Sequence, residues 1–133
     1  MRQFAVIVLL ALFGCAPKSS NLDGTWKPVR QELGGHEMPA AFFEKQVLVI
    51  SDSSYTLTAE SVDKGVLRYF EGKMDIVGKE GVNAGRHFTA IYVLNNDSLK
   101  ICYNLAGDSY PEAFETKSKP ALFMSVFQKA AGK

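Results

Sequence analysis

Apolar and polar residues alternate along much of this chain, most clearly at residues 88–105, which read as two β-strands around a polar tip at 95–98. If Leu94 pairs with Leu99, through either a two-residue loop (96–97) or a four-residue loop (95–98), then Tyr92 faces Ile101, Ala90 faces Tyr103 and Phe88 faces Leu105. Every residue on that face is apolar or aromatic. The opposite face carries Thr89, Ile91, Val93, Lys100, Cys102 and Asn104, a mixed set. A slip of one residue would exchange the faces and put the apolar set into water, so the pattern specifies its own register. A long hairpin with one apolar face must bury it, and the rest of the chain has to provide the cover.

The same alternation predicts further strands. Residues 24–33 form the first, with Pro28 suited to an edge, bulge or end because it cannot donate to a ladder. Gly34 and Gly35 end it. Residues 39–46 predict one or two turns of helix, with Pro39 at the first helical position and Ala, Glu, Lys and Gln following. Residues 47–50 and 55–59 make a hairpin around the turn-rich 51–54. Residues 66–71 and 73–77 read as strand on both sides of Gly72, where a glycine in an extended run marks a bend or bulge. On that reading Val66, Arg68, Phe70, Met74 and Ile76 share one face, and the charges on the other face (Glu71, Lys73, Asp75) place the first set inward. Residues 78–85 hold three glycines and form a long loop, residues 106–111 turn the chain, 112–119 are irregular, and 121–129 are a closing strand.

About eight short strands with one short helix is an all-β pattern, that of an antiparallel sandwich or barrel. A barrel removes exposed edges and is the expected architecture. Its interior is expected to include Trp26, Tyr55, Leu57, Phe70, Tyr92, Leu94, Leu99, Ile101, Tyr103 and Phe123.

Ahead of the strands, a short basic start leads into an unbroken apolar run at 4–13, followed by Gly14 and Cys15. Such a run is too short to span a bilayer but suits the core of a secretory signal. Leu12, Phe13, Gly14 and Cys15 resemble the bacterial lipobox, in which a small residue precedes a cysteine that receives a diacylglycerol and becomes the mature N-terminus. The resemblance implies a signal peptide at 1–14, a lipidated tether at 15–21 and one domain at 22–133, held in the cell envelope by lipid on Cys15. Ala16 is not the aspartate that resembles an inner-membrane retention signal, which implies the outer membrane if the cell is Gram-negative. Without residues 1–14, Lys plus Arg falls from 15 to 14 against 14 Asp plus Glu, a balance that gives no field to steer nucleic acid or anionic lipid. Only Cys102 accompanies Cys15 in the mature chain. With Cys15 acylated no intramolecular disulfide forms, and stability has to come from a core.

Two motifs carry a second resemblance. Residues 22–26, with Gly24, Thr25 and Trp26, resemble the Gly-x-Trp signature of the first lipocalin strand, whose tryptophan plugs the closed end of the barrel. Residues 91–102 are similar to the hallmark of an uncharacterised family of bacterial lipocalin-like domains, frequent in planctomycetes and often found on secreted or lipid-anchored proteins. The similarity runs from about Leu22 to Lys129, and Glu32, Gly34, Gly35 and Pro39 fall where that family places Glu, Gly and Pro. Where the family shows Arg-Pro-x-x-Phe, this chain has Tyr110, Pro111 and Phe114. The resemblance implies an antiparallel, lipocalin-like β-barrel; it brings no assigned function, and fold alone does not fix one.

The reactive side chains point to no catalytic constellation. His36 and His87 lack metal-site spacing and read as solvated, and the carboxylates Glu71, Asp75, Glu112 and Glu115 have nothing to hold two of them across one cleft. The nucleophile elbow, phosphate loop and zinc-protease motifs are missing. The chain is therefore read as a non-enzyme with neither metal nor cofactor. Cys102 reads as a small hydrophobe packed in or behind the sheet. Arg68, on the face placed inward, would need a carboxylate or an anionic ligand. Tyr92 and Tyr103 would need partners for buried hydroxyls. With Trp26, these three form the candidate ligand-binding set. Two functions fit: an anchored carrier or sensor for a small apolar or amphipathic molecule, or an anchored module whose outer surface binds an envelope protein.

Overall fold

The computed structural model describes residues 21–131, so the signal-peptide reading, Cys15 and most of the tether lie outside the described residues. Period-two alternation emerges as β1 (Gly24–Leu33), β2 (His36–Glu37), β3 (Val47–Ser51), β4 (Ser54–Thr58), β5 (Val62–Phe70), β6 (Lys73–Glu80), β7 (His87–Asn95), β8 (Ser98–Asn104) and β9 (Leu122–Lys129). The predicted helix shrinks to one 3-10 turn, Ala40–Phe42, behind Pro39. Sequential strands pair antiparallel and β9 returns to β1, so β1 and β3 to β9 close into an eight-stranded barrel. β2 pairs only with the end of β1.

The organising hairpin has the expected register, Leu94 opposite Leu99, Tyr92 opposite Ile101 and Ala90 opposite Tyr103. Its turn is the two-residue form, with Asn96 at φ +56°, a left-handed conformation that asparagine tolerates. Two other local features set which side chains face inward. Pro28 sits at a bulge where the pairing with β9 shifts between residues 28 and 30, so the inward alternation passes from Trp26 and Pro28 to Gln31. Glu71 and Gly72, at φ +49° and +83°, make a tight turn between β5 and β6 rather than a bend within one strand. That turn pairs Tyr69 with Met74 and Arg68 with Asp75.

The inward set follows from these registers and corrects one expectation. Leu67 is buried and Tyr69 partly buried, whereas Arg68 and Phe70 lie on the outside, Phe70 at 75% exposure. Counting straight through Gly72 as one strand puts 66, 68 and 70 on the face of 74 and 76; the two-residue turn puts 67 and 69 there instead. The other expected interior residues pack into the barrel core or line its cavity. Full burial of a side chain such as Leu99 or Ile101 contributes about 1.5–3 kcal/mol each, and these lie in a single cluster.

The barrel has two unlike ends. At one, the turns after β3, β5 and β7 meet the entering chain. Trp26 Nε1 donates to Leu22 O at 2.9 Å, Leu22 N donates to the Tyr69 hydroxyl at 3.1 Å, and the Tyr69 and Tyr92 rings meet edge to face at 5.7 Å. This network closes that end. At the other end lie the longer connections, residues 34–46, 59–61, 81–86 and 105–121. The last of these covers part of the outer wall. Phe114 packs with Cys102, Leu122 and Met124, and Thr116 accepts from Gly35 N and donates to Glu32 Oε1. Cys102 is a buried free thiol on this outer layer, and its desolvation pushes the thiol pKa up.

Candidate ligand cavity at the open end

Inside the barrel, above the Trp26 network, is a cavity of about 250 Å³. Its walls are mostly apolar: Leu48 and Ile50 from β3, Leu57 from β4, Leu67 from β5, Met74 and Ile76 from β6, Phe88 from β7, Ile101 from β8, and Phe123 and Phe127 from β9. The polar groups are few. Gln31, turned inward by the Pro28 bulge and only 4% exposed, donates through Nε2 to Gln46 Oε1 at 2.8 Å and to Ser125 Oγ at 3.2 Å. Asn83 and Arg86 reach the cavity from the 81–86 loop, and the Arg86 guanidinium lies 5.1 Å from the centre of the Phe88 ring.

Two inward glycines make the polar side of this space. At Gly65 an added Cβ would stand 2.2 Å from Val77 O, 2.7 Å from Tyr55 Cε1 and 2.9 Å from the Tyr55 hydroxyl. The Tyr55 ring therefore occupies the volume that any larger residue at 65 would take. At Gly78 an added Cβ would stand 1.9 Å from Asn83 O, so the 81–86 loop folds inward onto the bare backbone of β6. Gly78 N donates to Arg86 O and Gly85 N donates to Gly78 O, both at 2.9 Å, and Asp63 Oδ1 accepts from Asn83 N at 3.3 Å. These bonds hold Asn83 and Arg86 at the rim.

Tyr55 and Tyr103 come from β4 and β8, which lie diametrically opposite in the closed strand order. Both line the cavity, and Tyr55 is 8% exposed. Every fully buried side-chain nitrogen or oxygen among the described residues has a partner. The Tyr55 and Tyr103 hydroxyls face the cavity with no hydrogen-bond partner among the described residues. Desolvation raises the pKa of both phenols, with a further contribution from the Asp63 charge at Tyr55 and from Tyr55 at Tyr103. Both remain neutral O–H groups through the physiological range. Phe123 stacks on Tyr103 at 5.8 Å between ring centroids and fixes its ring.

Of the candidate set read from the sequence, Tyr103 lines the cavity. Trp26 and Tyr92 are buried at the closed end, away from the cavity lining. Arg68 is exposed on the outer face, beside a shallow groove with Asp75, Lys79 and His87, and takes no part in the interior. In that groove His87 Nε2 lies 3.2 Å from Asp75 Oδ1, and the Tyr110 hydroxyl donates to Asp75 Oδ2. Asp75 thus pins residue 110 of the covering segment to the barrel. Gln31, Tyr55, Asn83 and Arg86 belong to the cavity without having been singled out as ligand contacts. Of these, only Tyr55 was marked as interior by its alternation. Among the described residues no group of three or more His, Cys, Asp or Glu side chains is placed to hold a metal ion. Comparison with known proteins found no matching family model, no matching curated protein and no matching solved structure.

Proposed function

We propose that this protein is a lipid-anchored envelope carrier or sensor that holds one small apolar or amphipathic molecule inside the barrel, attached to the membrane through Cys15. The observation that carries the reading is the apolar cavity with two unpartnered hydroxyls facing it. At about 250 Å³ it lies just below the usual range of small-molecule sites, roughly 300–1,000 Å³, and well above the ~150 Å³ that accommodates benzene. That size suits a compact molecule and excludes full burial of a phospholipid or a sterol. A ligand at 100 times its dissociation constant adds about 2.7 kcal/mol to stability. A thermal-shift screen of short-chain acids, aromatic metabolites and small terpenoids should therefore raise the melting temperature by roughly 10 °C for a true ligand. A screen in which no compound moves the transition refutes the carrier reading.

The exposed Phe42 and Val82, at 63% and 73%, favour a second reading, in which the loop end docks on an envelope protein. Phe42→Ser and Val82→Ser together should then abolish co-purification with that protein and leave small-molecule binding intact.

A further inference from the structure

The two phenols say more about the occupant than the apolar walls do. An occupant that fills the cavity displaces the water these hydroxyls reach, and leaving them without an acceptor would then be costly. Their rings are fixed independently, Tyr55 against Gly65 and Tyr103 against Phe123. Because both stay protonated, a group that satisfies them must accept O–H bonds. A carbonyl oxygen has two lone pairs to accept with and no proton of its own to place.

Charge decides between a neutral acceptor and a carboxylate. Among the described residues the one cation lining the cavity is Arg86, which is exposed at the rim and lies on Phe88. The buried Asp63 carboxylate contributes a negative field at Tyr55. An anion placed there would be desolvated beside a like charge. Volume sets the size, since six ring atoms fit a cavity of about 150 Å³ and the space here is about 250 Å³.

We infer that the cavity takes an uncharged carbonyl compound of about ten non-hydrogen atoms, its oxygen accepting a hydrogen bond from the Tyr55 or Tyr103 hydroxyl and its apolar body lying against the aromatic and aliphatic walls. The inference rests on the carrier reading and assigns its ligand class.

The test uses three probes of one shape, measured by titration calorimetry on the chain with Cys15→Ser: indanone, indane and indane carboxylate. Indanone should bind at least about tenfold more tightly than indane, and indane carboxylate more weakly than indanone. The Tyr55→Phe, Tyr103→Phe double variant removes both hydroxyls and keeps both rings. In it the preference for indanone over indane should fall below about threefold while indane affinity holds. Equal binding of indane and indanone by the unaltered tyrosines, or a preference that survives in the double variant, overturns the carbonyl assignment and leaves the carrier reading standing. Tighter binding of the carboxylate overturns the uncharged class. If none of the three binds, the carbonyl assignment fails, and the thermal-shift screen alone decides the carrier reading.

Discussion

Replacing Trp26 by Phe separates what closes the barrel from what binds inside it. Trp26 is 1% exposed, and its indole N–H is bonded to Leu22 O, which ties the entering chain across the closed end. Phenylalanine keeps a ring there but removes two carbons and the donor nitrogen. At about 0.8 kcal/mol for each buried carbon, the lost packing amounts to roughly 1.6 kcal/mol. Leaving Leu22 O without its partner adds about 1–3 kcal/mol. The expected loss is therefore about 2.6–4.6 kcal/mol, a large share of the roughly 5–15 kcal/mol that stabilises a typical domain. In urea, with a slope of about 1–3 kcal/mol per molar, the unfolding midpoint should fall by roughly 2 M with the slope unchanged. Because Trp26 does not line the cavity, the dissociation constant of any interior ligand, measured well below the transition, should stay within about twofold. A loss under about 1 kcal/mol would refute the plug argument, and a tenfold change in ligand affinity with the fold intact would refute the separation of the two ends.

Gly65→Ala should destabilise by at least about 1–3 kcal/mol in chemical denaturation, because its Cβ would meet Val77 O at 2.2 Å and the Tyr55 ring at 2.7 Å; near-ultraviolet circular dichroism should show a displaced tyrosine. The folded pKa of Tyr103 is raised above its unfolded value of about 10, so the unfolded chain gives up its proton first: stability is full below pH ~10 and falls by up to about 1.4 kcal/mol per pH unit above it, less steeply in Tyr103→Phe. Cys102, buried and with its thiol pKa raised, should resist a thiol reagent in the native Cys15→Ser chain and react once urea unfolds it; rapid native labelling would show that the 105–121 segment opens. The Cys15→Ser substitution itself should move the protein from the detergent phase to the aqueous phase in partition assays, and identical partition of both forms would remove the lipid anchor.

What the sequence made legible is what local pattern dictates. The hairpin of β7 and β8 was readable to the residue because seven consecutive pairings combine one apolar face with a short polar turn. That alone placed Tyr92, Ile101 and Tyr103 inward. Arg68 was misplaced because inward parity depends on the number of residues in the turn after β5. The pair Glu71 and Gly72 carries no apolar marker that distinguishes a two-residue turn from a bent strand. Gln31 was missed for a related reason: Pro28 announced an irregularity, but only pairing with β9 shows that the bulge turns residue 31 inward. Asn83 and Arg86 lie on a loop whose inward fold depends on the missing side chain of Gly78, a contact between segments that periodicity does not encode. The pattern thus yields walls, while bulges, turns and loops decide which polar groups the walls enclose.

The two ends of the barrel bear on where a ligand would come from. The chain enters at Leu22, buried at 0% exposure beside the Trp26 network, so the entry point belongs to the closed end. The cavity rim, with Gln46, Asn83 and Arg86, belongs to the opposite end. Residues 16–21 reach at most about 20 Å when fully extended. A lipid on Cys15 would then hold the closed end nearest the membrane and leave the rim towards the aqueous space. A carrier that extracts acyl chains from its own bilayer needs the reverse arrangement, with its mouth at the surface and a cavity long enough for a chain. The volume is too small for that, and with a lipid on Cys15 the mouth would lie at the wrong end. Both observations instead favour a compact, sparingly soluble molecule captured from solution, which suits a cavity whose interior polar groups, the Gln31 amide and the Tyr55 and Tyr103 hydroxyls, are uncharged and whose only lining cation among the described residues stands at the rim.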